Sequence, residues 1–179
     1  FALDTMPGMN ELFDLRPGHW NLHILPRQYV TQLVEACGYL ARRGPLLVLD
    51  CGRQYDPSLV LRAGLGREEI LNRIQSRRAF NCFEASKLLQ ITQTSKAPII
   101  VLDLLSSFYD ENVRYPMRQF LLGNCVTHLQ RLSKGAGLAV FIQPLPSDPL
   151  AANLFNRLRN AAPQVVTYET SVPQPKQQR

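Results

Sequence analysis

Three short stretches of the chain are apolar at nearly every position: 45–50 (PLLVLD), 97–103 (APIIVLD) and Leu138–Ile142 (LAVFI). Continuous runs of this length mark strands buried on both faces of a parallel sheet. The first two end in acids, Asp50 and Asp103. Two weaker strand signals flank them. Residues 21–25 (NLHIL) alternate polar and apolar and stop at Pro26, and 164–169 (QVVTYE) reads as a last strand. Between the strands the period changes to that of a helix. Val30, Leu33, Val34, Cys37 and Leu40 recur at helical spacing over 30–42, closed by Gly44-Pro45. Further helices are predicted over 58–65, 67–75, 83–92 and 150–160. The longest carries Phe120, Leu121, Cys125, Leu129 and Leu132 and ends at Gly135 and Gly137. Strands alternating with helices predict an α/β fold, a mostly parallel, twisted sheet flanked by helices, with ligands beyond the carboxyl ends of the strands.

Composition narrows this picture. The chain has 179 residues, 45% of them hydrophobic, which suits one domain over 1–172. Residues 173–179 contain only Pro, Gln, Lys and Arg and read as a disordered tail. No apolar run approaches the ~20 residues of a membrane span, and no basic region followed by an apolar stretch opens the chain, so neither a membrane partner nor a signal peptide is expected. Cys37, Cys51, Cys82 and Cys125 are widely spaced and sit in apolar contexts. They read as buried free thiols, with no metal, which suggests the cytoplasm. His19, His23 and His128 form no catalytic arrangement by spacing, and His23 reads as a packed or edge residue of its strand.

The order of these signals resembles the core of the RecA/RadA recombinase family and, more loosely, KaiC-type ATPases. Thr5–Phe13 looks like the family's short helix before its first strand. Leu46–Pro57 (LLVLDCGRQYDP) resembles the strand and loop that members write as an apolar run followed by D-T-E-G-x-F-x-P. Leu71–Leu89 contains Arg78-Ala79-Phe80-Asn81, the most specific match, and Ile99–Asp103 looks like the Walker B strand. Arg118–Gly137 resembles the long helix that follows. The resemblance implies a three-layer RecA-like core and, in an intact member, an ATP site.

That site has a physical specification. Glycines let several N–H groups face the phosphates, a lysine neutralises the β/γ charge, and a hydroxyl holds Mg²⁺. The turn here reads Leu25-Pro26-Arg27-Gln28-Tyr29-Val30-Thr31. Thr31 follows the place of the family's lysine, which Val30 occupies. The loop has no glycine, and Pro26 lacks an N–H. Gly52 stands where the family's glutamate activates water. Asp103 remains at the Walker B place. Without a triphosphate it reads as an acid accepting backbone N–H bonds from the next loop, and Thr31 as a helix cap. The expectation is a degenerate P-loop, no ATPase activity and no cofactor.

The net charge is +6, which permits a polyanionic partner. Arg62, Arg67, Arg73, Arg77 and Arg78 form a cluster expected to be largely a solvated face. In recombinases, loops after the Walker B strand and after the next strand line the DNA path. The corresponding segments carry Arg114, Tyr115, Arg118, Arg157 and Arg159, the candidate contacts to single- or double-stranded DNA. Asp110 and Glu111 oppose this. Three functions compete. One is an inactive RecA-fold module paired with a protein of that superfamily or with itself, in DNA recombination or repair. The second is a DNA-binding accessory protein. The third is a nucleotide-binding enzyme with a pocket rebuilt from Arg27, Asp50, Arg53 and Asp103.

Overall fold

A computed structural model describes residues 15–64 and 66–170. The lead-in segment Thr5–Phe13 and the tail 173–179 lie outside these residues. Six parallel strands form one sheet: β1 (Trp20–Ile24), β2 (Leu46–Asp50), β3 (Ile74–Arg78), β4 (Ile99–Leu102), β5 (Leu138–Ile142) and β6 (Gln164–Thr167), in the order β3-β2-β4-β5-β1-β6. The helices are α1 (Val30–Ala41), α2 (Pro57–Ala63), α3 (Glu68–Asn72), α4 (Cys82–Ile91), α5 (Tyr115–Ser133) and α6 (Pro149–Ala161).

The two-residue period of the strands divides the core between two layers of helix. Leu46, Val48, Ile100, Leu102, Ala139 and Phe141 face α1, α2 and α3. Leu22, Leu49, Val101, Leu138, Val140 and Ile142 face α4, α5 and α6. The expected three-layer RecA-like α/β architecture is therefore present.

Local chemistry explains the helix starts. Asp56 caps α2 by accepting from Ser58 N, with Pro57 at the first position. Asn81 caps α4 through Glu84 N, and the Glu84 carboxylate accepts in return from Phe80 N at 2.7 Å. Asp148 caps α6 through Ala151 N, again with proline next. The end of α4 is closed from outside. The Arg131 guanidinium donates to the carbonyls of Leu89, Gln90 and Thr92, satisfying groups a helix end leaves open.

Two expectations need correction, and a third is decided between its alternatives. The helix predicted over 67–75 stops at Asn72, and β3 follows. β3 (IQSRR) is the sheet's edge strand and four of its five residues are exposed, so it carries no apolar run to announce it. Phe120, expected on the buried face of α5, is 62% exposed, and Leu122 is buried instead. Of the two places expected for His23, it takes the packed one. β1 lies between β5 and β6, and His23 is fully buried. The four cysteines are buried as expected.

Candidate functional site

Adjacent strands β1 and β5 send their chains to opposite faces of the sheet, β1 into α1 and β5 into α6. In parallel sheets such a divergence opens a crevice at the carboxyl ends. Here it is closed. Pro26 leads directly into a single 3-10 turn, Arg27–Tyr29, and Val30 begins α1. Tyr29 is buried, its hydroxyl donating to the carbonyl of Glu169 at 3.3 Å. Val30, Leu25, Leu33, Phe141, Gln54 and Gln143 fill the crevice, leaving water-sized room of only about 10 Å³ beside Asp103 on a side still open to solvent. A single water needs roughly 10–15 Å³ on a comparable measure.

Thr31 lies exposed in the first turn of α1, but Tyr29 occupies the cap position, so the Thr31 hydroxyl is not the expected cap. Arg27 is exposed.

The loop after β2 is organised by Asp50, which is 1% exposed. Its carboxylate accepts from the backbone N–H groups of Gly52 (3.2 Å), Gln54 (3.0 Å) and Tyr55 (3.0 Å). Arg78 completes the shell, with Nε 3.1 Å from Oδ2 and a second nitrogen donating to the Tyr55 carbonyl. Asp50 is thus a structural anchor with its lone pairs engaged. Asp56, the other acid of this loop, is spent on capping α2.

Asp103 is held differently from expectation. Its Oδ2 accepts from two side-chain amides, Gln54 Nε2 at 3.2 Å and Gln143 Nε2 at 3.1 Å. Burial raises its pKa, partly offset by the Gln143 and Ser106 hydrogen bonds. Its backbone is left-handed, with φ of 50°, uncommon for a residue with a side chain. Gly52 lies directly against it. A Cβ at Gly52 would overlap the Cβ and carboxylate of Asp103. Glycine at position 52 is therefore a packing requirement.

Other reactive groups are quenched. Burial pushes the Cys37 and Cys125 thiols up to about 12 and raises Cys51 further. Among the described residues, no group of three or more His, Cys, Asp or Glu could hold a metal ion. His23 stacks on Phe141 with ring centres 4.6 Å apart, and its Nδ1 is 2.8 Å from the Tyr168 hydroxyl. Its Nε2 is buried without a hydrogen-bond partner.

Desolvation lowers the His23 pKa from 6.5 to about 4. A depressed histidine stabilises the fold fully above its unfolded value, and that stabilisation is lost as pH falls from 6.5 through 4. The shift corresponds to about 3 kcal/mol. Urea unfolding at pH 7.5 and pH 4 should show wild type losing about 3 kcal/mol more than His23→Phe. Equal losses would remove His23 from the acid response.

Of the candidate DNA contacts, Arg114, Arg157 and Arg159 are exposed and Tyr115 is half-buried. Arg118 departs from expectation. It is 4% exposed, donates to the Phe108 carbonyl at 3.1 Å and lies 5.5 Å from the Tyr115 ring centre. It packs the 3-10 turn Ser106–Tyr109 onto α5 and is not available to a phosphate. Sequence reasoning missed the roles of Gln54, Gln143 and Arg78, and Arg53, named for a rebuilt pocket, has a different neighbour. Gln54 and Gln143 hold Asp103, Arg78 holds Asp50, and exposed Arg53, in a left-handed conformation, lies 5.2 Å from the Phe80 ring centre. Arg78 stood inside the most specific motif match, a signal that could have marked it. The glutamines carry no such signal.

No family model matches the chain, and no curated protein matches it. Among solved structures it is similar to the crystal structure of the RadB recombinase, with a TM-score of 0.60 over 90% of this chain and 78% of that chain, at 14% identity. The RecA/RadA-like fold read from the sequence is therefore the fold of the molecule. No helix among the described residues is long and apolar enough to cross a membrane.

Proposed function

We propose that this chain is a RecA-fold binding and assembly module with a degenerate P-loop and no ATPase activity. The observation that carries this reading is the closed crevice. Val30, Leu25, Gln54 and Gln143 fill the space beside Asp103 down to about 10 Å³. Two independent features support it. Pro26 and the 3-10 turn replace a glycine cradle, and Gly52 brings no carboxylate to activate water. The rebuilt pocket weighed from the sequence loses its acids, since Asp50 is committed to the loop and Arg78 and Asp103 to two amides. Similarity to the RadB recombinase structure favours a place in DNA recombination or repair. The same reading has it act beside a partner of the RecA superfamily or a second copy, and its four buried free thiols suit a cytoplasmic setting. The second reading is an accessory protein that binds DNA directly. Exposed Arg114, Arg157 and Arg159 favour it.

One set of melting curves separates these readings. Ligand at a hundred times its Kd stabilises by about 2.7 kcal/mol, which at about 2–4 °C per kcal/mol would raise Tm by about 5–10 °C. Millimolar Mg-ATP should leave Tm unchanged, and a rise in that range would overturn the dead-site reading. A thymidine oligonucleotide that raises Tm at low salt, with the effect lost at high salt, would select the DNA reading.

A further inference from the structure

Among the described residues, large apolar side chains are exposed unevenly. Phe80, Phe83, Met117 and Phe120 are 56%, 48%, 42% and 62% exposed. Phe80 follows β3, Phe83 and Met117 stand in the first turns of α4 and α5, and Phe120 in the second turn of α5. Both helices start at the carboxyl ends of the strands and pack against each other. Their register is visible at two levels: Ser86 of α4 lies beside the Cys125 thiol of α5, and Leu89 and Gln90 accept from Arg131. One turn back from Ser86 is Phe83, and five residues back from Cys125 is Phe120. The same register sets Phe83 level with Leu122 and leaves Phe120 two residues, about 3 Å, nearer the start of α5, with Met117 on Phe120's stripe at i−3.

The three phenylalanine rings alone offer roughly 300 Å² of open apolar surface. A patch of this size on one face is commonly functional. A stable dimer needs about 800 Å² from each partner, so the patch is too small for a second copy and matches a short segment. Its rim carries exposed Lys87, one turn after Phe83, and Arg114, three residues before Met117, with Arg53 over Phe80. Of the nearby carboxylates, Glu84 is bound to Phe80 N and Asp110 to Asn112 N. Glu111 is exposed. The aliphatic Met117 and these carboxylates disfavour a polyanion and favour a peptide with few acids.

We propose that the α4–α5 face at this end binds a short amphipathic peptide segment of a protein partner. Two bulky apolar side chains of the segment seat among Phe83, Met117 and Phe120, and flanking Asp or Glu side chains pair with Lys87 and Arg114. The inference rests on the reading of the chain as a binding module and names the partner's chemistry. It uses none of the residues of the closed crevice, so Mg-ATP binding would sink the dead-site reading and leave this one standing.

The test is selection of phage-displayed random dodecapeptides on the full chain. The expected result is enrichment of paired bulky apolar residues flanked by Asp or Glu. Synthetic peptides of that kind should lose at least tenfold in affinity against Phe120→Glu. Lys87→Glu should weaken them also, and a peptide with lysine in place of its acids should recover binding to that variant. Both substitutions are on exposed side chains, and circular dichroism melts check that the variants fold. No enrichment, neutral or basic consensus peptides, or unchanged binding to Phe120→Glu would overturn the proposal. So would a wild-type dimer in sedimentation that Phe120→Glu dissolves, or a thymidine oligonucleotide that displaces the peptide at physiological salt.

Discussion

Gly52→Ala is expected to lower stability by about 3 kcal/mol, the upper range for forcing volume into a packed site. For a chain of this size that is a fall in Tm of about 6–12 °C. The cause is steric. The new Cβ would overlap the Cβ and carboxylate of Asp103, which the amides of Gln54 and Gln143 hold in place. Asp103→Gly should partly rescue it, because it removes the opposing Cβ and suits a φ of 50°. The double-mutant cycle should therefore be non-additive by at least about 1 kcal/mol. Additive losses would show that the two residues do not oppose each other. Gly52→Glu meets the same obstacle and sets a second carboxylate beside Asp103, so restoring the family's glutamate should not create hydrolysis.

Asp50→Ala is expected to cost about 4 kcal/mol, as in the breaking of a buried hydrogen-bonded ion pair. Three backbone N–H groups lose their acceptor together, and each left unsatisfied costs about 1–3 kcal/mol before relaxation. Arg78→Ala should cost less, about 1–2 kcal/mol, because the Arg78 side chain is 41% exposed and water can replace part of its bond. Asp50→Asn, which keeps one acceptor oxygen, should fall between wild type and Asp50→Ala. Urea unfolding measures all three. A loss for Arg78→Ala as large as that for Asp50→Ala would mean the cation, and not the loop's N–H groups, is the main partner.

The strands that lie inside the sheet were legible because burial on both faces demands an unbroken apolar run. β2, β4 and β5 meet that demand with no polar residue before their ends. β3 escaped because an edge strand has no such demand, and IQSRR writes no period at all. β1 was legible as a strand, but its position was not. The alternation left His23 as either a packed or an edge residue, and only pairing with both β5 and β6 puts it inside. The site divides in the same way. Asp50, Gly52 and Asp103 could be found because each stands at or just after a strand end that resembles, or at Gly52 departs from, a known family's pattern. Gln54 and Gln143 come from loops far apart in sequence and converge on one oxygen, a relation that no spacing encodes. Arg118 illustrates the reverse error. A cation near a loop suggests a phosphate contact, but the first turn of α5 turns this one inward to bind Phe108 and lie beside Tyr115.

The strand order also bears on how the chain is made. Trp20 pairs with Leu138, and Asn21 pairs with Gln164. As the polypeptide leaves the ribosome, β1 can find neither neighbour until most of the remaining residues have been synthesised. β2, β3 and β4 can associate earlier, but β4 must wait for β5 to cover its open side. Long-range parallel pairing of this kind is slow and leaves apolar strand edges uncovered for longer. Production of this chain should therefore depend on translation speed and on chaperones more than its final stability would suggest.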